Sequence, residues 1–368
     1  MRIAFNASII EPLSSGLGVY AANLVKELIK LHDDLALYTA FPEICGADMN
    51  KVRKIRWGVQ PSLGFRGHVQ RILWVQAILP FRLAADKASL LLSPLPEGML
   101  LPVVPQVVTL LDIIPLLFPK EYPQAQYYAR YFVPAILRRS QGVITISENT
   151  KQDIIAYYGI EPERVHVILP GCDRSRYKLG INTEEVKRKY GLTDYCLYVG
   201  NLFPHKNLRR LLHAFALIAG RLPHNLVIGG WKDPRYFEAL EEEVKVLRLA
   251  ERVSFLNYVP PDELPALYAG AKVFVLPSLY EGFGLPPLEA MACGCPVVVS
   301  KAASQPEVCG DAAYYVDPYD VKSIAEGIYK VALDEELRKN LIHKGLQRVE
   351  VFSWKKAAAE HIKLLDKV

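Results

Sequence analysis

Cysteine is scarce and unpatterned in this chain of 368 residues, with six thiols at positions 45, 172, 196, 293, 295 and 309. That is neither the density nor the spacing of a secreted disulfide framework. Cys293 and Cys295 have no Cys or His pair at zinc spacing nearby, so buried thiols in a reducing compartment are expected. A one-sided charge is also lacking. Lys and Arg number 44 against 39 Asp and Glu, and a net charge of +5 speaks against a nucleic-acid partner. No long apolar run is free of breakers. The most apolar stretch, Gly98 to Phe118, carries Pro102, Pro105, Pro115, Gln106 and Asp112. It suits two buried strands with loops better than a lipid-facing helix. No leader peptide is expected, because Arg2-Ile3-Ala4-Phe5-Asn6 reads directly as a first strand. A cytoplasmic location follows as the expectation.

What is present is globular composition, 51% hydrophobic and 23% charged, in a length suited to two domains. Strand and helix signals alternate throughout. Ile3–Ser8, Leu35–Thr39, Val107–Leu110 and Gly142–Ser147 read as strands, with amphipathic helices at Tyr20–Leu31 and around Gln126–Arg138. Ser147 is placed to cap the helix that follows it. A second series begins after Asp173, with strands at Tyr195–Val199, Asn225–Ile228, Val253–Leu256, Val273–Leu276 and Pro296–Ser300. Such alternation implies α/β architecture, with two doubly wound, Rossmann-like domains over 1–173 and 174–352. Chemistry is then expected at the carboxyl ends of the strands, in a cleft between the domains.

Three constellations fit that placement. Ser14-Ser15-Gly16-Leu17-Gly18-Val19-Tyr20-Ala21 is glycine-rich and leads into a helix. A phosphate contact is the favoured reading, with a dehydrogenase cofactor and a purely structural turn as alternatives. Gly200-Asn201-Leu202-Phe203-Pro204-His205-Lys206 ends a strand and puts a lysine at the start of the next helix. An ammonium there suits a diphosphate, although such a lysine is often only solvated. The third is the most specific. Glu281-Gly282-Phe283-Gly284-Leu285-Pro286-Pro287-Leu288-Glu289 sets two carboxylates eight residues apart across a glycine turn. The glycines let backbone amides approach a ligand, and a carboxylate in the following helix can accept two ribose hydroxyls. Helix-start capping accounts for the acids but not for the glycines and prolines around them.

With the Glu281…Glu289 pair, the Gly200…Lys206 turn, the Gly16-Leu17-Gly18 loop and Thr109-Leu110-Leu111-Asp112, the chain resembles a known class over nearly its full length. It is similar to the retaining, nucleotide-sugar-dependent glycosyltransferases of family 4, which have two Rossmann-like domains facing a central cleft (the GT-B fold). The resemblance implies that Glu289 holds the donor ribose and that Glu281 faces the donor sugar. Amides around Gly282, Phe283, Gly284 and Leu285 would line sugar and phosphate, and Lys206 would neutralise the leaving diphosphate. Gly16 and Gly18 would close from the first domain, and the base would lie along Tyr258-Val259. Catalytic roles fall to Glu281, Lys206 and Asp112. The resemblance further implies no cofactor and no metal, in keeping with the lack of an Asp-x-Asp triplet. It also implies a C-terminal helix, 353–368, crossing back onto the first domain.

Two positions depart from the family pattern. Asn201 stands where an arginine is common, with His205 beside it as the candidate replacement charge. Leu111 stands where many members place a histidine facing the outer end of the donor hexose. An aliphatic residue there favours a donor lacking a C6 hydroxyl, a 6-deoxyhexose or a pentose. Asp112 acts in the cleft or only caps the turn before Pro115. Two other classes therefore stay open beside the transferase: a nucleotide-sugar binding protein without turnover, and a sugar-nucleotide epimerase. The acceptor implied is a glycan or a lipid-linked hydroxyl in cell-surface polysaccharide synthesis. One acceptor clue lies in Lys51 to Arg82, where Lys51, Arg53, Lys54, Arg56, Arg66, Arg71 and Arg82 occur with no acid, interleaved with Trp57, Phe65 and Trp74. The interval suits peripheral contact with an anionic membrane or a lipid diphosphate, and equally a solvated face.

Overall fold

Strands such as Ile3-Ala4-Phe5-Asn6 and Val273-Phe274-Val275-Leu276 show no alternation of apolar and polar residues, the pattern of strands covered on both faces. The computed structural model, which describes residues 1–12 and 16–368, assembles them into two wholly parallel sheets. Unit 1 comprises Met1–Gly171 and Ser353–Val368, and unit 2 comprises Cys172–Phe352. The division falls just ahead of the Asp173 boundary expected from the sequence.

Unit 1 contains β1 (Ile3–Asn6), β2 (Leu35–Thr39), β3 (Val52–Lys54), β4 (Leu90–Ser93), β5 (Gln106–Thr109), β6 (Gly142–Thr145) and β7 (Val165–Val167), in spatial order 3-2-1-4-5-6-7. Unit 2 contains β8 (Tyr195–Val199), β9 (Asn225–Gly229), β10 (Val253–Leu256), β11 (Val273–Leu276), β12 (Val297–Ser300) and β13 (Ala313–Val316), in order 10-9-8-11-12-13. Each sheet starts in its middle, winds one way, then crosses over and winds the other. The reversal lies between β1 and β4 in unit 1 and between β8 and β11 in unit 2. Loops splay apart at such a point, which makes it the place where a doubly wound sheet takes a ligand.

The helices that bear on function are α1 (Gly16–Leu31), α2 (Gly64–Leu73), α3 (Leu79–Ala85), α4 (Leu208–Ile218), α5 (Leu285–Ala292) and α6 (Trp354–Leu365). In unit 1, α6 packs on α1, with the Tyr20 and Trp354 rings edge to face at 5.7 Å. Ser147 caps its helix as expected, its Oγ accepting from the Thr150 N–H at 3.1 Å. Gly16 and Gly18 lie in the first turn of α1 rather than in a loop, and Ser14 and Ser15 fall outside the described residues.

The Gly98–Phe118 stretch holds one strand, β5, and a short helix at Ile114–Leu117, not the two strands expected. The buried Gln106 side chain explains the difference. Its Oε1 accepts from the Met99 N–H at 2.8 Å and its Nε2 donates to the Met99 carbonyl at 2.9 Å, doing for that loop what a neighbouring strand would do. Among the described residues no helix is long and apolar enough to cross a membrane.

Arg71, counted above among the basic residues of Lys51–Arg82, is internal. It is buried on α2, with Nε 3.1 Å from both Glu97 oxygens and Nη1 donating to the Val59 carbonyl at 2.9 Å. Burial alone would raise the Glu97 carboxyl, but the Arg71 charge, helped by His68, draws it below its ordinary range. Removing one partner of a buried pair strands the other. Arg71→Met is therefore expected to destabilise the protein by about 3–5 kcal/mol, and Arg71→Met with Glu97→Leu to recover most of that loss. Because the Glu97 pKa is lowered on folding, its contribution is present above the ordinary glutamate range and is lost as pH falls below it. Denaturant titrations of the three proteins at neutral and acidic pH measure both effects.

Candidate functional site

The polar residues of unit 2 gather where β8 and β11 end. Gly200 leaves β8 with its N–H donating to the Gly229 carbonyl at 3.0 Å, and a Cβ on Gly230 would overlap the Gly200 carbonyl. The ends of β8 and β9 thus approach more closely than side chains allow. The chain then makes a 3₁₀ turn over Pro204–Lys206, so Lys206 precedes α4 rather than starting it. Asn207 follows in the left-handed conformation, φ 65°, and is buried. Its amide donates to the carbonyls of Pro277 at 2.9 Å and Pro318 at 2.6 Å, while the Leu279 N–H donates to the His205 carbonyl at 2.8 Å. The loop after β8 is thereby stitched to the loop after β11.

That stitching sets Lys206 against Glu281. Lys206 Nζ lies 2.7 and 2.8 Å from the two Glu281 oxygens, and Ser278 Oγ donates to Oε1 at 2.7 Å. The glycine turn that follows is fixed from beneath. Ser304 Oγ shares its hydrogen between the carbonyls of Glu281 and Phe283, at 2.9 and 3.0 Å, and Gln305 Nε2 donates to Phe283 at 2.9 Å. Gly284, φ 96°, lies against the Gln305 amide so closely that a Cβ would clash with it. With the Phe283 carbonyl turned inward, α5 begins at Leu285. Two of its first four residues, Pro286 and Pro287, have no N–H to leave unsatisfied, so Leu285 carries the leading donor of that helix end.

Glu289 lies on the second turn of α5, only partly exposed. Burial pushes its pKa up to about 7, against the hydrogen bonds of Tyr268 and Tyr177, which act to lower it. Tyr268 OH donates to Oε2 at 3.0 Å. Val259 is buried three residues past the end of β10, where its Cγ2 would contact a Cβ on Gly229, and Tyr258 beside it is half-buried. The two glutamates thus occupy different settings: one faces an ammonium, the other two phenols.

His205 corrects an expectation. It is 1% exposed, stacked on Phe203, and burial with the neighbouring Lys206 charge lowers its pKa to about 3. A neutral ring cannot replace the arginine charge missing at Asn201, which is itself exposed. In unit 1, Leu111 is 6% exposed, and Asp112 Oδ1 accepts from the Ile114 N–H at 2.9 Å, the turn cap anticipated as the plainer reading. Unit 2 therefore contains Gly200, Asn201, Lys206, Tyr258, Val259, Glu281, Gly282, Phe283, Gly284, Leu285 and Glu289, with Lys206 and Glu281 in direct contact, while Gly16, Gly18, Leu111 and Asp112 belong to unit 1. Sequence reasoning missed Tyr268, Ser304 and Gln305, and it gave no role to Asn207 and Ser278, which adjoin the motifs it singled out. The signal for Ser278, Ser304 and Gln305 was their place just past strand ends. Nothing local marks Tyr268.

Comparison with known proteins bears on the family and the fold. Residues 14–176 match the family model for Glycosyltransferase Family 4, and residues 182–348 match the model for Glycosyl transferases group 1. O-antigen chain mannosyltransferase B of Escherichia coli is 34% identical over 70% of this chain and 68% of its own length. The serotype-specific mannosyltransferase WbdA of Escherichia coli is 32% identical over 67% of this chain, which spans only 31% of that longer protein. The Anabaena protein HepE, solved in complex with UDP-glucose, aligns over 100% of both chains with a TM-score of 0.78 at 18% identity, a likeness of fold alone.

The setting of Glu289 has a measurable consequence. A carboxyl whose pKa is raised on folding binds its proton more tightly in the folded state. Its contribution to stability is therefore full below its ordinary value of 4.5 and is lost as pH rises to about 7. Glu289→Gln, which carries no charge to bury, is expected to be more stable than wild type at pH 8 by on the order of 1–3 kcal/mol, and equal to it in acid. Thermal denaturation across that pH range gives the result, and a carboxyl resonance of Glu289 titrating near 4.5 would remove the premise.

Proposed function

We propose that this chain, which belongs to glycosyltransferase family 4, moves a mannose from a nucleoside-diphosphate donor to a hydroxyl of a glycan or lipid-linked acceptor, with retention at the anomeric carbon. The choice of mannose and of a polysaccharide product follows from the mannosyltransferases it is similar to. The observation that carries the donor assignment is the Lys206–Glu281 pair, positioned where the second sheet reverses direction.

In that pair each group occupies the other's ligand position. A diphosphate would draw Lys206 away and leave Glu281 with Ser278, and the hydroxyls of the donor sugar would then satisfy Glu281. A whole sugar nucleotide replaces both halves of the pair, whereas a nucleotide alone replaces one. Glu289 accepts the ribose hydroxyls as a carboxylate, so donor affinity rises with pH as its proton is lost. Leu285 N–H and the backbone of Gly282–Gly284 line the phosphates, and Tyr258-Val259 borders the base. When the bond from the anomeric carbon to phosphate breaks, charge gathers on the diphosphate. Lys206 neutralises it there, which makes electrostatic stabilisation and positioning the source of rate. The lysine supplies the positive charge a metal would otherwise bring, so neither metal nor cofactor is required. Asp112 holds a turn of unit 1, and in the same unit Gly16 and Gly18 at the start of α1 are the candidate phosphate contacts.

A second donor reading rests on Leu111. Its aliphatic side chain offers no hydrogen bond to a C6 hydroxyl, which favours a 6-deoxyhexose or pentose over mannose. Discrimination would be modest, on the order of 10–200-fold.

Incubation with a panel of nucleotide sugars paired at C6 decides among these. Released nucleotide with acceptor identifies a transferase, binding without release a sensor, and an isomerised donor an epimerase. Glu289→Ala is expected to weaken nucleotide binding by about 1.5–3 kcal/mol. Lys206→Ala is expected to weaken sugar-nucleotide binding far more than nucleoside binding, since only the former carries a diphosphate. Equal losses for both ligands would move Lys206 from a binding role to a purely structural one. Turnover that survives chelation of divalent ions checks the metal-free mechanism.

A further inference from the structure

The seven basic residues between Lys51 and Arg82 are sorted by their partners. Arg71 is internal, as described. Lys51 Nζ donates to the carbonyls of Ile29 and His32 at 3.4 Å, and Arg53 Nε pairs with Asp86 at 2.7 Å. Lys54, Arg56, Arg66 and Arg82 are exposed, and their side chains meet no hydrogen-bonding or ionic partner among the described residues.

Three of those four converge. Lys54, Arg56 and Arg82, together with Arg53, rim one cavity of about 140 Å³ beside β3. Tyr38, Ile55, Trp57, Trp74 and Ile78 complete its lining, and no carboxylate is among the lining residues. Asp86 does not offset this charge, because Arg53 and the Tyr38 hydroxyl, each at 2.7 Å, already hold it. Its carboxyl lies below the ordinary range because these two donors outweigh its burial. The cavity therefore combines three unmatched cations with aromatic and aliphatic walls.

Size and surroundings restrict the occupant. The volume of about 140 Å³ corresponds to about five waters and is well below the ~300 Å³ at which pockets for whole small molecules begin. A phosphate with its first carbons fits, and the cavity is too small to enclose a whole nucleotide sugar. The same segment also exposes Trp57 at 44%, Leu63 at 50%, Phe65 at 54%, Leu73 at 51% and Phe81 at 77%. Large exposed apolar side chains interspersed with unpaired Arg and Lys are the composition of a surface that lies on a charged bilayer.

We propose that this cavity receives the phosphate head group of an anionic membrane lipid, with Arg56, Arg82 and Lys54 on the phosphate and the exposed apolar residues around it in the acyl boundary. The inference deepens the proposed function by naming the contact that brings this chain to a lipid-linked acceptor. It rests on that reading only in favouring a lipid phosphate over a free one.

The test uses the full chain without any nucleotide sugar, so its outcome is independent of transfer. Sedimentation is measured with vesicles of phosphatidylcholine alone and of phosphatidylcholine mixed equally with phosphatidylglycerol. Binding to the mixed vesicles only is expected, weakening as salt is raised. Arg56→Gln with Arg82→Gln should lower the partition coefficient about thirtyfold. Trp57→Ser with Phe81→Ser should lower it further at high salt, where the apolar contribution remains. Lys355→Gln with Lys356→Gln removes the same net charge from exposed positions on α6 and should change partition less than twofold. Circular dichroism of each variant verifies that it is folded. Equal losses in both charge variants would reduce the effect to net charge and overturn the cavity assignment. Absence of vesicle binding would overturn it also. Calorimetric binding of inorganic pyrophosphate, lost in the Arg56 and Arg82 variant while vesicles fail to bind, would assign the cavity to a soluble phosphate instead.

Discussion

Lys206 and Glu281 meet across the reversal point of the second sheet, and two left-handed residues of unit 2, Asn207 and Gly284, lie in the loops that hold them together. Their side chains are 16% and 11% exposed, so both charges are largely withdrawn from water and each depends on the other. Keeping an ammonium at 2.7 Å from a carboxylate carried by a different strand requires that the two loops not drift. Asn207 supplies that restraint by adopting a left-handed backbone, so that its amide reaches the carbonyls of Pro277 and Pro318 together. Ser278, Ser304 and Gln305 restrain the other side. The glycine at 284 is what remains where the turn lies against the Gln305 amide with no room for a Cβ.

The same constraint accounts for what was legible in the sequence. Parallel strands buried on both faces announce themselves as apolar runs, so most of the strands, the alternation and the two-unit architecture could be read directly. β3 and β7, of three residues each, are too short to carry a period, whereas β4 and β13, as long as several strands that were read, are paired by neighbours distant in sequence. The Gly98–Phe118 stretch misled for a related reason. Its apolar residues suggested two strands, but a single buried glutamine side chain satisfies the backbone that a second strand would have satisfied. At the site, residues within one motif were legible. Tyr268, which reaches Glu289 from another helix, was not.

His205 and Glu289 show why a residue type does not reveal its charge. Both belong to the motifs that follow β8 and β11, and both are titratable. Burial keeps the histidine neutral beside an ammonium, so the residue that looked like a spare positive charge acts as a packed ring. Burial likewise favours the protonated glutamate, but two phenol hydroxyls oppose it and leave the group balanced near neutrality. A ligand that donates hydroxyls can tip that balance, while nothing comparable is available to His205. The difference follows from what surrounds each group in three dimensions, which spacing along the chain does not encode.

Counting charges along Lys51–Arg82 fails in the same way, and the failure is informative. The basic excess of that interval looked like one surface feature. Arg71 is a core residue paired with Glu97, Arg53 closes a hydrogen-bonded group around Asp86, and Lys51 caps backbone carbonyls. These three use their charge to hold unit 1 together, and their removal would be felt as lost stability. The four that have no partner among the described residues contribute nothing comparable to the fold, and three of them share one apolar-walled cavity. Like charges gathered with no counter-charge repel one another, a cost that a fold has no structural reason to accept. The arrangement makes physical sense if the counter-charge arrives from outside the chain.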